Sequence, residues 1–290
     1  MFDKVEAFYR PDSVREALRL LQSGRGQARV VAGGTDLVVE ADDSVRVLID
    51  ITRAGLNYIR RKRGGCTIGA TATMAELEDS DIIRDLAGGL LANVARTCGS
   101  VPIRNLATIG GNMANASPAA DMATPLLVLD AAVVIADSRG RRKLPLADYL
   151  AGAGRSAKSL LVEIVLPDPP CGKGCRWSYQ KLGRTAVDIS LVSVAAGLQL
   201  DSRRRVKWAR IALGAMAPTA MRASGAEQRI AGRTLDCALI AEIGEQAARE
   251  ARPITDVRAT AEYRREMCAV LTRRAIEECA DHAGQTGCSL

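Results

Sequence analysis

Apolar positions along this chain change period several times, and each period predicts an element. Val14, Ala17, Leu18 and Leu21 recur at helical spacing over residues 13–22, and Ser13 with Glu16 forms a capping box ahead of them. Residues 28–32 are a short apolar run, read as a strand, which Gly33-Gly34-Thr35-Asp36 breaks. Residues 45–51 and 66–70 read as two more strands, and a second capping box at Thr73 and Glu76 opens helical pieces that reach about Cys98. The stretch 103–116 fits neither period; it is dense in Gly, Asn and small side chains, so no regular element is expected there. Residues 126–136 are strongly apolar, interrupted by Asp130, and end in a turn at 137–140.

A change of composition at Pro167-Asp168-Pro169-Pro170-Cys171-Gly172-Lys173-Gly174 marks a boundary, set here between residues 176 and 177. Beyond it, residues 190–200 and 206–213 read as a hairpin joined at 201–205, followed by helices at about 238–251 and 259–283. This order predicts an α+β chain with separate sheets rather than one doubly wound sheet. At 290 residues the chain exceeds one average domain, so two units are expected.

Lys and Arg total 40 against 33 Asp and Glu, a balance that raises nucleic acid as a partner. The basic runs Arg60-Arg61-Lys62-Arg63, 139–143 and Arg203-Arg204-Arg205 have no aromatic side chains interleaved for base stacking. They read as solvated loop charge, and nucleic acid is set aside. The opening Met1-Phe2-Asp3-Lys4-Val5-Glu6 is not a secretory leader, and no segment has the apolar length of a membrane span. Eight cysteines without disulfide-framework spacing read as free thiols, which points to the cytoplasm.

Two glycine-centred loops carry the candidate chemistry. Val30-Val31-Ala32-Gly33-Gly34-Thr35-Asp36-Leu37 runs from a strand straight into a tight turn, and Thr108-Ile109-Gly110-Gly111-Asn112 repeats the ingredients with an added amide side chain. Consecutive glycines permit positive φ and let a ligand reach bare N–H groups, and such a run of donors forms a nest for phosphate oxygens. Two such loops converging make a dinucleotide site. Neither is a Rossmann or P-loop fingerprint: Gly24-Arg25-Gly26 precedes its strand, and Gly152-Ala153-Gly154 has no strand leading in. A lone His282 leaves neither a metal set nor a Ser-His-Asp nucleophile, and Cys171 with Cys175 lacks a second pair for zinc.

Over nearly its full length the sequence resembles the FAD-binding subunits of molybdenum hydroxylases, which include xanthine and carbon monoxide dehydrogenases. The matching pieces are Met1-Phe2-Asp3, Arg10-Pro11-Asp12-Ser13, Ala32-Gly33-Gly34-Thr35-Asp36-Leu37, Ile68-Gly69-Ala70 and Ile103-Arg104-Asn105-Leu106-Ala107 with the second loop. Asp121 with Thr124-Pro125, Tyr179-Gln180-Lys181-Leu182 and Asp188-Ile189-Ser190 complete them. The resemblance implies an FAD-binding unit of the vanillyl-alcohol-oxidase (PCMH) type over 1–176 and a small C-terminal α+β domain over 177–290.

Both loops, from Val30 to Leu37 and from Thr108 to Asn112, would then hold the FAD diphosphate and ribityl chain by backbone N–H groups, with Thr35, Thr108 and Asn112 adding side-chain bonds. Asp121 would bond the sugar or diphosphate region, Leu161 and Lys181 would lie near the flavin ring, and Ile189 would cover one ring face. Cys98 stands where some relatives carry an aromatic residue against the cofactor. The four-cysteine insertion that carries an extra iron–sulfur cluster in benzoyl-CoA-type relatives is missing, so no cluster is expected on this chain.

The same resemblance implies an electron relay. A molybdenum cofactor on a large molybdopterin-binding subunit would oxidise substrate, and two [2Fe–2S] clusters on a small subunit would pass the electrons to FAD here and on to an external acceptor. A dimer of heterotrimers is the expected assembly. The rival readings are a stand-alone flavin reductase on a related fold, for which no substrate acid or NADPH site is found, and a non-catalytic assembly subunit that has lost FAD, against which the intact glycine loops speak.

Overall fold

The first helix begins where its cap places it. In the computed structural model, which describes residues 4–24, 26–40, 42–170 and 174–281, the Glu16 amide donates to Ser13 Oγ (3.2 Å). The Glu16 carboxylate accepts from the Asp12 amide instead of closing the expected box on Ser13. Strand β1 (Ala7–Tyr9), helix α1 (Val14–Ser23), β2 (Ala28–Val31), the single turn α2 (Leu37–Glu40) and β3 (Val47–Asp50) form the N-terminal layer. Its sheet has the order β1-β3-β2 with both pairings parallel. Parallel strands need crossovers, and α1 carries the chain from β1 past the β3 position to β2, burying Ala17 and Leu21.

A larger unit follows: β4 (Ile59–Lys62), β5 (Gly65–Gly69), α3 (Met74–Asp79), α4 (Asp81–Asp85), α5 (Leu90–Arg96), α6 (Val101–Leu106), α7 (Ile109–Asn115), α8 (Ala123–Val128), β6 (Ala132–Asp137), β7 (Gly140–Pro145), α9 (Leu146–Leu150) and β8 (Leu160–Pro167). Its five strands are antiparallel in the order β4-β5-β8-β6-β7. Thr73 and Glu76 make the full reciprocal capping box expected of them.

Two expectations fail here. The stretch 103–116 is helical, in two short pieces, because capping outweighs its poor propensity: Thr108 Oγ1 takes the Gly111 amide at the start of α7. The basic runs 60–63 and 139–143 enter strands β4 and β7, not loops. The apolar run 126–136 divides at Asp130, whose φ of 51° turns the chain from α8 into β6.

The C-terminal part comprises β9 (Arg176–Leu182), β10 (Val192–Leu200), β11 (Val206–Gly214), β12 (Met221–Arg222), α10 (Ser224–Ile230), α11 (Cys237–Glu250) and α12 (Ala261–Asp281). The β10–β11 hairpin appears as expected, and the sheet runs β12-β11-β10-β9. Alternation assigns its two faces to different cores. Ala195 and Ala212 join the core of Ile68, Leu126 and Ile135, whereas Val194, Ile211 and Leu213 join Ile240, Ile243 and Ile276 of α11 and α12. This sheet is therefore a middle layer, apolar on both sides, and the alanines let α8 approach it closely.

Cys66, Cys98, Cys268 and Cys279 are free and buried, but Cys175 and Cys237 are held in disulfides, against the expectation of thiols throughout. Linear spacing does not report which thiols a fold brings within bonding range. Met1-Phe2-Asp3, Cys171, His282 and Cys288 lie outside the described residues. Among the described residues no helix is long and apolar enough to cross a membrane.

Candidate functional site

The first glycine loop rises directly from a strand. Val30 and Val31 lie half-buried on β2, Ala32 to Asp36 make the turn, and Leu37 opens α2. Gly34 has φ of 70°, the left-handed region that favours glycine. Gly33 is required for a different reason: a Cβ there would stand 1.8 Å from the Leu106 carbonyl oxygen, so the loop rests against the end of α6. The Val38 and Glu40 amides close onto Gly34 and Asp36 carbonyls, but the amides of residues 33–37 donate to no acceptor among the described residues. Successive bare N–H groups on a half-exposed turn are an anion nest.

The second loop spends its amides internally. Ile109 N donates to Ala72 O and Gly110 N to Ala70 O, both at 2.9 Å, while Gly111 N is taken by Thr108 Oγ1. A Cβ on Gly110 would meet the Ala70 carbonyl at 2.4 Å, which makes glycine the residue that lets α7 seat on the segment just past β5. The expectation that both loops present bare N–H groups therefore holds only for the first. What the second offers is side chains, and Asn112 Oδ1 is buried without a hydrogen-bond partner among the described residues. Asn115 Nδ2 donates to Asp36 Oδ2 (3.0 Å), so the two loops are tied together.

Asp121 anchors a buried polar cluster beyond α7. Its Oδ1 accepts from Tyr179 Oη (3.0 Å) and Ser190 Oγ (2.6 Å), and its Oδ2 from Lys181 Nζ (2.7 Å). Lys181 Nζ also donates to the Thr97 carbonyl (3.1 Å), next to Cys98. The two charged side chains are each 11% exposed, so this is a buried ion pair in which both carboxylate oxygens accept and the ammonium donates to two acceptors, and Lys181 is not a free cation. Burial and then the Asp121 carboxylate push the Cys98 thiol far up, and the same two causes hold the Tyr179 hydroxyl well above its ordinary value. Both stay neutral donors at physiological pH.

Tyr179 and Ser190 belong to this cluster but were not among the expected site residues. Tyr179 was legible in principle, since it stands two positions from Lys181 on one strand and so shares its face. Ser190 stands in the matching piece Asp188-Ile189-Ser190, but nothing in its local chemistry points to Asp121. Leu161 is 5% exposed and pairs with Ile135, so its side chain belongs to the core. Its neighbour Val162 accepts from the Ala70 amide, and the Ala70 carbonyl in turn holds Gly110, so this part of β8 lies beneath the second loop. Ile189 is 57% exposed beside Ser190.

These features fit a dinucleotide such as FAD. The amides of 33–37 suit a diphosphate, and the orphaned Asn112 oxygen suits a sugar or ring donor, since buried acceptors in folded proteins are rarely left unpaired.

Comparison with known proteins agrees. Residues 2–169 match the family described as FAD binding domain in molybdopterin dehydrogenase, and residues 177–279 match the CO dehydrogenase flavoprotein C-terminal domain. The glyceraldehyde dehydrogenase medium chain of Sulfolobus acidocaldarius is 30% identical, over 97% of this chain and 100% of its own. The xanthine dehydrogenase FAD-binding subunit of Escherichia coli O157:H7 is 32% identical, over 98% and 99%. Among solved structures, a carbon monoxide dehydrogenase chain from Hydrogenophaga pseudoflava superimposes with a TM-score of 0.91 at 29% identity, covering 97% of this chain and 99% of that one.

Proposed function

Since this chain belongs to the family of FAD-binding subunits of molybdenum hydroxylases, we propose that it works as their electron relay, taking electrons from [2Fe–2S] clusters of a small partner subunit and releasing them to an external acceptor. The observation that carries this is the run of unengaged amides at 33–37, set beside the buried Asn112 oxygen. Bound FAD supplies a carrier that accepts and releases electrons, chemistry that belongs to the cofactor.

The chain's own residues bind and orient. Amides of Gly33, Gly34, Thr35 and Asp36 hold diphosphate oxygens, and Thr35, Thr108 and Asn112 add side-chain bonds. Asp121 and Lys181 form a compensated pair at the joint between the N-terminal part and β9, where the Thr97 carbonyl fixes the ammonium. Because the pair is neutral overall, it orders the wall beside the cofactor more than it imposes a charge on it. Cys98 contributes a protonated thiol to that wall, and Ile189 an exposed apolar side chain able to shield the ring from water. Residues 1–176 are taken as the FAD-binding unit and 177–290 as the C-terminal domain. The proposed assembly is a dimer of heterotrimers with a large molybdopterin-binding subunit and the small iron–sulfur subunit, and the acceptor class is NAD⁺, oxygen or a quinone.

A visible spectrum of the chain purified alone tests the reading. Flavin bands near about 375 and 450 nm, with FAD released on heating and no iron–sulfur absorbance, are expected. A colourless chain that takes up no added FAD, alone or with its partner subunits, overturns it.

A further inference from the structure

Two basic runs remain outside the cofactor site. Arg60 to Lys62 lie on β4, with Arg63 in the turn that follows, and Arg141 to Lys143 lie on β7. Distant in sequence, these strands are the two edges of one sheet. Register across the sheet shows which residues face together. Ile59, Ile68, Ile164, Val133 and Leu144 form one row, and Ile68, Ile164 and Val133 are fully buried in the core. Arg60, Thr67, Val165 and Ala132 form the next row and, by alternation, face the other way, together with Lys62, Arg141 and Lys143.

On that face Ala132, Val134 and Val165 are only half-buried. A groove of about 340 Å³ crosses it, lined by Lys62, Arg63, Thr67, Ala132, Lys143 and Val165. Arg63 and Lys143 have no carboxylate partner among the described residues, and Lys62 stands 3.9 Å from Glu163. Asp130 at the rim is already engaged by Arg222 (2.9 Å) and Arg210 (3.5 Å). Thr67 is 3% exposed, and its hydroxyl has no hydrogen-bond partner among the described residues.

Charge on edge strands also discourages edge-to-edge pairing. That explains cations on β4 and β7 but neither the half-apolar floor between them nor the unpartnered hydroxyl. Four inter-strand steps of about 4.8 Å put the two basic edges roughly 19 Å apart, too far for one phosphate to bridge. The floor presents Ala132 and Val165 side chains rather than a nest of amides; Glu163, two positions from Val165 and so on the same face, is already engaged by the Tyr58 hydroxyl (2.8 Å) and Lys62 (3.9 Å). We propose that this outer face is a docking surface for an acidic, extended segment of a partner protein. Its carboxylates meet Lys62 and Arg63 at one edge and Arg141 and Lys143 at the other, and its apolar side chains lie on Ala132 and Val165. The proposal does not depend on the cofactor reading.

The test uses the full chain and a fluorescein-labelled peptide of about ten residues, alternating glutamate and leucine, with a photo-crosslinker at its centre, followed by anisotropy at low salt. The Lys62→Glu/Lys143→Glu variant should weaken binding about tenfold or more, while the charge-matched Arg203→Glu/Lys207→Glu variant on the C-terminal hairpin should change it less than about threefold. Ala132→Trp, which leaves the charge unchanged, should also weaken binding, and crosslinks should fall on β4, β7 or the β4–β5 turn. All variants are compared at equal thermal midpoint, and Ala132→Trp serves if the reversal variant does not fold. Equal losses in the two reversal variants would reduce the effect to the net charge of the chain and overturn the proposal. Displacement of the peptide by millimolar inorganic phosphate at constant ionic strength would also overturn it, in favour of a small-anion site.

Discussion

Replacing Asp121 by leucine exposes what the buried cluster contributes. The variant leaves the Lys181 ammonium, in a side chain only 11% exposed, with the Thr97 carbonyl as its remaining acceptor. It also strips the Tyr179 and Ser190 hydroxyls of the oxygen they share. Breaking a buried pair from one side costs about 3–5 kcal/mol, because an uncompensated charge stays in a poorly solvated place. Lys181→Met should cost somewhat less, since the Asp121 carboxylate keeps two hydroxyl donors. The double variant Asp121→Leu/Lys181→Met removes both charges and should recover about 2 kcal/mol relative to the sum of the single variants, a coupling well above the roughly 0.5 kcal/mol of independent sites. Urea unfolding of the cofactor-free chain, followed through Trp177 and Trp208 on the C-terminal sheet, reads these differences. As an exposed control, Asp188→Ala breaks the Arg184 pair and should cost less than about 1 kcal/mol. Single variants that simply add in the double would refute the claim that the pair acts as a buried unit joining the two parts of the chain.

Gly33→Ala drives a methyl group into the Leu106 carbonyl and should cost about 1–3 kcal/mol with loss of bound FAD, measured as flavin content after purification; unchanged flavin content would show that the loop is not held there. Gly34→Ala has room but an unfavourable φ, so its effect on stability should be nearer about 1 kcal/mol. Asn112→Leu removes an unpartnered buried oxygen, so the cofactor-free chain should be no less stable while FAD affinity, titrated by flavin fluorescence, falls about tenfold. At alkaline pH, burial holds the Cys66 thiol up at about 11 and the Cys268 thiol up at about 12, against 9.0 for an ordinary thiol. The unfolded chain loses those protons first, so this stability is intact below pH 9 and is lost as pH rises through about 11 to 12, and the urea midpoint should fall over that window.

Local chemistry made much of this protein legible in its sequence. Helix α1, the Thr73–Glu76 box, the β10–β11 hairpin and the first glycine loop follow from period, caps and glycine stereochemistry, which act over a few residues. The stretch 103–116 resisted that reading because its helices are held by one capping hydroxyl and by the close fit of Gly110 against Ala70, just past β5, not by apolar period. The engagement of the second loop's amides by Ala70 and Ala72 was illegible for the same reason. Asp121 meets Tyr179 across 58 residues and Ser190 across 69, and no local pattern encodes such a meeting. Likewise, two basic runs that read separately as solvent-facing charge became the two edges of one face only when β5, β8 and β6 were laid between them. The sequence by itself determined which segments turn, cap and alternate, because those preferences belong to each residue and its near neighbours. The tertiary structure decided which donors stay free, which charges are paired and which surfaces coincide, because those depend on partners brought close only by the packed sheet order.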